Sequence, residues 1–409
     1  MPIVRLDYGT EGLEVDLPDD QTTLIEPAYP PGVPDPGETL RRALAAPIDS
    51  APISELVKPG QMVAISVCDG TRPQPRALML SALFESMPRV RTEDVVILVA
   101  TGTHRANTED ELSSMLGAEI MERYRVLNHD ARDPSALVLA GQGPHDMPVW
   151  LHREWVEADV RITTGFVEPH FFAGFSGGPK MVAPGLAGLE TTMILHDARR
   201  IGHHKATWGV IEGNPIHDDV REIARRTGVD FAFDVTLNGE KEITAAFAGE
   251  LFAEHRAACA NSRREAMREV PSRFDVIVTT NSGFALDQNL YQAVKGISAA
   301  AEVVKDGGVI LCASECRDGL PEHGTYVDLL GRGTSPEELL AMIHEPGFSE
   351  PDQWQVQIQA QILKRARVLV KTSFLSPEEI RAAHFEPLED VSEAAREALH
   401  EAGTGASLC

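Results

Sequence analysis

The chain has 409 residues, 43% of them hydrophobic and 24% charged, the composition of a soluble protein with room for two or three cores. A formal net charge of −25 argues against nucleic acid and anionic membranes as partners, since both are bound through Lys and Arg. Five cysteines without a disulfide framework, no signal-like leader and no apolar run of about 18 residues make a reducing cytoplasm the expected setting.

Residues 3–17 alternate in polarity around Gly9-Thr10-Glu11-Gly12 and predict a hairpin. A proline-rich connector (27–37) and a helix over 38–45 follow, and then a βα rhythm begins. MVAISVCDG (62–70), VVILVATG (95–102) and VRITTGFV (160–167) are nearly continuous apolar runs, as expected of buried parallel strands. RALMLSALFESM (76–87) has helical periodicity, and Thr108 and Glu111 have capping-box spacing at the start of another helix. Residues 188–200 read as one helix carrying His196, and 217–228 as an amphipathic helix closed by Gly228. After a polar helix over 254–270 the composition shifts, which places a domain boundary near 265–275. A second series follows: strand 274–282, helix 290–306, strand 307–314, helices 335–345, 353–366 and 376–385, and strand 367–373. The last helix, 391–403, is expected to fray into TGASLC. Alternating buried strands and helices predict an α/β fold of two α/β domains, 1–270 and 271–409, with mainly parallel sheets.

The densest chemistry lies between Glu168 and His196. That stretch holds His170, the run Gly174, Ser176, Gly177 and Gly178, then Lys180 and His196. Glycines at this density let backbone N–H groups approach a ligand, while two histidines and a lysine supply a proton carrier, a metal ligand and a nucleophilic amine. Open α/β sheets bind ligands beyond the carboxyl ends of their strands. Those ends carry Asp69-Gly70-Thr71-Arg72-Pro73, Thr101-Gly102-Thr103-His104-Arg105, Glu168-Pro169-His170 and Thr280-Asn281-Ser282-Gly283. Simpler readings exist for single residues. A loop histidine such as His104 is often a capping residue, His170 beside two phenylalanines suits a core histidine, and Asp69 with Arg72 suits a structural pair. A buried Arg72 would also suit a carboxylate or phosphate. Ser176-Gly177-Gly178-Pro179-Lys180 fails as a nucleotide phosphate loop, because Met181 stands where a hydroxyl residue is required. No G-x-G-x-x-G opens the first βα turn either, so ATP and ordinary NAD chemistry are disfavoured.

Taken together, Asp69-Gly-Thr-Arg72-Pro73, Thr101-Gly-Thr-His104-Arg105, Glu168-Pro-His170 through Lys180, His196, and Tyr291-Gln292-Ala-Val-Lys295-Gly resemble the nickel-pincer-dependent lactate racemase family. The resemblance spans about residues 60 to 300, with motifs in matching order and spacing. It implies a two-domain α/β protein with its site in the interdomain cleft, and a pyridinium-3-thioamide-5-thiocarboxylate mononucleotide that holds nickel. By the resemblance Lys180 carries the nickel-pincer nucleotide covalently and His196 is a further nickel ligand, a donor set that suits planar nickel. Asp69, Gly177 and Gly178 are expected beside the cofactor. His104 and His170 match the acid/base pair, and Arg72, Tyr291, Gln292 and Lys295 match the residues around the substrate. The implied activity is racemisation of a 2-hydroxy acid by hydride transfer, through a 2-keto acid planar at C2. Expected partners are a small anionic substrate and the proteins that make the cofactor. Malate, phenyllactate or an aldonate are alternative substrates, and a non-catalytic cofactor- or metal-binding protein is the alternative of another class. Such a carrier would need Lys180 and His196 but not His104 and His170.

Overall fold

The computed structural model describes residues 3–321 and 324–409. These form two compact units: Pro27–His196 with His203–Met267, and the chain up to Glu26 with Asp197–Gly202 and Arg268–Cys409. The partition is therefore not linear. Tyr8, Val15 and Leu17 of the N-terminal hairpin share a core with Val276, Leu311 and Leu399, so burial of apolar surface assigns the first residues to the C-terminal unit.

In the first unit a six-stranded sheet runs in the order Ile243–Gly249, Phe231–Leu237, Val160–Phe166, Val63–Cys68, Val95–Ala100, Arg125–Asn128. All neighbours are parallel except the Phe231–Leu237 and Ile243–Gly249 pair. Numbered along the chain, this is the 3-2-1-4-5-6 order of doubly wound dinucleotide-binding sheets. Every residue of Val63–Cys68 is buried, which explains its unbroken apolar run. Ile65, Ile97, Met79, Leu80, Phe231 and Phe233 belong to one core that joins sheet and helices. Among the flanking helices, Pro215–Thr227 starts where Asn214 accepts the Ile216 and His217 N–H groups, and stops at Gly228, whose φ of 81° favours glycine. The predicted capping box of Thr108 and Glu111 is present at the start of Glu109–Leu116.

The second unit carries a four-stranded parallel sheet in the order Phe274–Thr280, Val304–Ala313, Arg367–Lys371, Glu386–Leu388. Two expectations are corrected here. The helix expected over 290–306 ends at Ala301, because Val304 already pairs with Phe274 in the sheet. The C-terminal tail does not fray: Leu408 is fully buried and forms parallel bridges to Thr22 and Val276. In the first unit, the helix expected over 188–200 ends at Leu195. Asp197 then caps a separate turn, Ala198–Ile201, by accepting the Arg200 N–H. Among the described residues no helix is long and apolar enough to cross a membrane.

Candidate functional site

The carboxyl end of the Val63–Cys68 strand is held rigid by two buried side chains. Gln74 accepts the Cys68 N–H at 2.8 Å and donates to Thr164 Oγ1 at 2.9 Å. Arg76 donates to the carbonyls of Cys68 (2.7 Å), Gln74 (3.1 Å), Arg72 (2.7 Å) and Asp69. The guanidinium thus substitutes for the sheet partners that this loop lacks. The rigid loop presents Asp69 and Arg72.

Asp69 is 5% exposed, and its Oδ2 lies 2.7 Å from His104 Nδ1. Oδ1 accepts from the Thr71 hydroxyl at 2.7 Å and more distantly from the Thr71 N–H. Burial alone would raise the Asp69 pKa. The His104 hydrogen bond and charge, the Thr71 hydroxyl and the Arg72 charge outweigh it and bring the pKa down to about 2. An ionised carboxylate only accepts, so in the neutral imidazole Nδ1 carries the proton and Nε2 the lone pair. Asp69 therefore orients His104. It was expected beside the cofactor, but its oxygens serve the histidine and the turn. Arg72 faces Glu168 at 3.7 Å, tying the loops after Val63–Cys68 and Val160–Phe166 together at the point where strand order reverses.

Phe172 gathers three more of the expected residues. Its ring meets His170 edge-on at 4.5 Å and His196 edge-on at 5.2 Å between centroids, and the Lys180 amine lies 5.6 Å from its centre. The sequence reading gave Phe172 no role of its own, and no spacing rule would have singled it out. The Ala173 N–H points at His170 Nδ1 at 3.3 Å, so this nitrogen accepts and Nε2 holds the proton of the neutral ring. His104 and His170 thus favour opposite tautomers. His196 Nδ1 lies 2.7 Å from the Thr192 carbonyl, which can only accept. That leaves the lone pair on Nε2, the arrangement usual for a metal-ligating imidazole.

The lysine loop is built by packing. Met181 places its sulfur 3.7 Å from the Cys68 thiol, which explains an apolar residue after the lysine. Gly177 and Gly178 have φ of 71° and 49°, and a Cβ would sit 2.6 Å from Val167 and 2.4 Å from His255 respectively. The Gly178 N–H donates to Asp234 at 2.8 Å. The expectation that both glycines open their amides to a ligand is thus corrected for Gly178, whose amide is committed to the interior.

In the second unit the other group sits on the Leu290–Ala301 helix. Asn289 caps it by accepting the Gln292 N–H. Lys295 Nζ donates to Gln292 Oε1 at 2.5 Å. Tyr291 Oη accepts from Trp354 Nε1 at 3.2 Å, and Gln355 Nε2 donates to the Tyr291 carbonyl at 2.5 Å. Burial raises the Tyr291 pKa above its ordinary value, so the phenol stays neutral. At Gly296 an added Cβ would stand 2.1 Å from the Thr280 carbonyl, so only glycine lets this helix lie against its strand.

Sequence comparison accounts for most of the chain. The lactate racemase N-terminal domain matches residues 8–209, and the lactate racemase C-terminal domain matches residues 270–409. A lactate racemase of Thermoanaerobacterium thermosaccharolyticum is 33% identical over 402 residues, covering 96% of this chain and 93% of that protein. The chain belongs to the lactate racemase family. A lactate racemase of Lactiplantibacillus plantarum is 35% identical over 374 residues, 91% of this chain and 88% of the relative. The lactate racemase apoprotein structure from T. thermosaccharolyticum superposes with a TM-score of 0.93 at 31% identity, covering 100% of this chain and 97% of that one. A Thermotoga maritima protein shares the fold, with a TM-score of 0.67 at 18% identity and coverage of 94% and 97%.

For a lactate racemase relative, Gln74, Arg76 and Asp234 are the additions that the sequence reading missed. Arg76 and Gln74 lie just past the Asp69–Pro73 motif, where a polar residue at a helix start is commonplace. Asp234 sits inside a strand that had not been recognised at all.

Proposed function

We propose that the chain racemises a small 2-hydroxy acid, lactate foremost, with a nickel-pincer nucleotide carried on Lys180. The observation that carries this reading is the convergence of His170, His196 and Lys180 on the Phe172 ring, with His104 held by Asp69 on a neighbouring strand end. The residues fit the group. Lys180 offers the amine for a covalent bond, and His196 offers an imidazole whose Nδ1 proton is already committed to a carbonyl. Among the described residues no three His, Cys, Asp or Glu side chains are placed to hold a metal ion, so nickel here would take its other ligands from the cofactor. When bound, the cofactor supplies an electrophilic centre that accepts the C2 hydrogen as hydride.

The chain's own residues handle the proton and the charge. His104 Nε2, basic in the tautomer that Asp69 enforces, takes the hydroxyl proton of one enantiomer, and His170, protonated as the imidazolium, returns a proton to the hydroxyl oxygen of the other and is left neutral. Proton uptake by His104 builds an imidazolium beside the Asp69 carboxylate, which stabilises it. Arg72, Tyr291, Gln292 and Lys295 keep the roles that the family resemblance implies, toward the substrate carboxylate and hydroxyl region, and Arg72 and Lys295 carry the positive charge that an acidic protein must supply to an anionic substrate. We assign Gly177 to shaping the loop that presents Lys180. Five free cysteines support a reducing cytoplasm, and cofactor-making proteins are the expected partners.

The test is intact-protein mass and nickel analysis after expression with cofactor-making proteins, followed by chiral assay of each lactate enantiomer. A covalent adduct on Lys180, nickel at one per chain, and racemisation from both enantiomers are expected. A nickel-free, unmodified chain that racemises lactate would refute the reading.

A further inference from the structure

Beneath the glycine loop lie ionisable side chains that none of these roles uses. Asp234, in the middle of the Phe231–Leu237 strand, and Glu254, in the first turn of the Leu251–Ala266 helix, are both fully buried. Asp234 Oδ1 and both Glu254 carboxyl oxygens are buried with no donor from another group, and the two side chains lie close enough to interact. Two carboxylates offer acceptors only, so a hydrogen bond between them satisfies these atoms only when one of the pair carries a proton. The far side of Asp234 decides which. Its Oδ2 accepts the Gly178 N–H at 2.8 Å, a bond that favours the charged form, so the proton resides on Glu254. Burial, reinforced by the Asp234 charge, pushes Glu254 well above the ordinary carboxyl range. Burial also lifts Asp234, to about 7, against the Gly178 and Glu254 hydrogen bonds that lower it. The neighbouring imidazoles do not compete for the proton. His255 and His217, with rings 5.8 Å apart, are depressed by burial to about 4 and about 3.

The backbone around the pair is shaped to fit it. A Cβ at Gly165 would lie 2.5 Å from Asp234 Oδ1, and one at Gly177 would lie 3.1 Å from Oδ2. His255 Nε2 donates to the Ser176 carbonyl at 2.9 Å, so residues 176–178 are gripped from below at two points. The Lys180 N–H then closes on the Gly177 carbonyl at 3.1 Å. A lone carboxylate buried here would take up a proton and hold the Gly178 amide more weakly, through a neutral acid instead of a charged acceptor. A donor facing it keeps it ionised.

We propose that Asp234 and Glu254 form a single-proton carboxyl pair that positions Lys180, by anchoring the Gly177–Gly178 turn from beneath. The inference rests on the reading of Lys180 as the attachment residue, and its test needs no cofactor. The whole apo chain is labelled with trace acetic anhydride, and Lys180 acetylation is read by peptide mass against the exposed Lys58. Glu254→Gln, which offers an N–H where the acid offers an O–H, keeps the ratio within about twofold, whereas Glu254→Leu and Asp234→Ala raise it about tenfold as the turn loosens. A wild-type ratio in both apolar variants, or Glu254→Gln behaving like Glu254→Leu, would overturn the proposal. Should the apolar variants fail to fold, infrared difference spectra of wild type against Glu254→Gln at neutral pH decide it. The wild type must show the carbonyl band of a protonated carboxylic acid that the variant lacks, and its absence overturns the pair. Failure here leaves a Lys180 adduct unaffected, whereas a missing adduct sinks the proposed function and leaves these labelling ratios standing.

Discussion

Asp69→Asn is the sharpest test of how the site handles its proton. The substitution keeps the shape of the side chain and removes the charge that faces His104 Nδ1 across 2.7 Å. A hydrogen bond to a charged partner contributes about 1.5–3 kcal/mol and a neutral one about 0.5–1.5 kcal/mol, so the imidazolium loses about 1–2 kcal/mol of support. That difference lowers the rate about 5- to 30-fold, and since the His104 side chain is 54% exposed, water replaces part of the loss and favours the lower end. If the amide turns its NH2 group toward the ring, His104 must change tautomer, and the loss approaches the roughly 100-fold or more that a general base contributes. The assay is initial racemisation of each pure lactate enantiomer by adduct-bearing protein, with chiral detection. Because the two enantiomers have equal free energy, kcat/KM must fall by the same factor in both directions. A kcat/KM within about twofold of wild type, with the Lys180 adduct intact, would refute the orienting role. Stability adds a check with a definite sign. The Asp69 carboxyl is depressed from 3.8 to about 2, so its contribution is present above the ordinary value and lost as pH falls through the folded one. The melting temperatures of variant and wild type should converge only at that acidic end.

Other outcomes follow from the same geometry. Arg76→Met strips hydrogen-bond donors from four carbonyls at the end of the central strand. It should cost about 3 kcal/mol or more in chemical denaturation, and an unchanged midpoint would show that the clamp is dispensable. Gly296→Ala forces a Cβ to 2.1 Å from the Thr280 carbonyl. The Leu290–Ala301 helix should shift, lowering the melting temperature by about 1–3 kcal/mol worth of stability and raising KM more than it lowers kcat. Glu254 has a raised folded pKa, so its contribution is complete below the ordinary value of 4.5 and lost as pH rises through the folded one. The melting temperature of Glu254→Gln relative to wild type should therefore climb between mildly acidic and alkaline pH, and a flat difference would contradict the assignment of the proton.

The polar tips at the strand ends were legible in the sequence because a parallel strand buried on both faces is a short apolar run. The first polar residues after it must lie at the edge of the sheet. His104 and His170 were read this way, and Lys180 and His196 from the glycine-rich stretch between Glu168 and His196. The part that Phe172 plays in bringing His170, Lys180 and His196 together was not legible, since an aromatic residue that gathers functional side chains is composed like any core residue. The Phe231–Leu237 and Ile243–Gly249 strands were missed for a related reason. FAFDVTL carries a buried aspartate and ITAAFAG has three alanines among its seven residues, so neither reads as the unbroken, β-branched apolar run of the central strands.

What the linear chain settled was local: two βα series, the capping box of Thr108 and Glu111, the loop glycines and the order of motifs that marks the family. These depend on neighbours a few residues apart, where steric and hydrogen-bonding rules act directly on sequence. The three-dimensional structure decided which surfaces were buried against which. Through that it decided that the N-terminal hairpin and the last residues complete the C-terminal unit, that Asp69 serves His104, and that the Gly178 amide serves Asp234. The free energy of those choices comes from apolar area and desolvated charge brought together across hundreds of residues, a quantity that no window of the sequence contains.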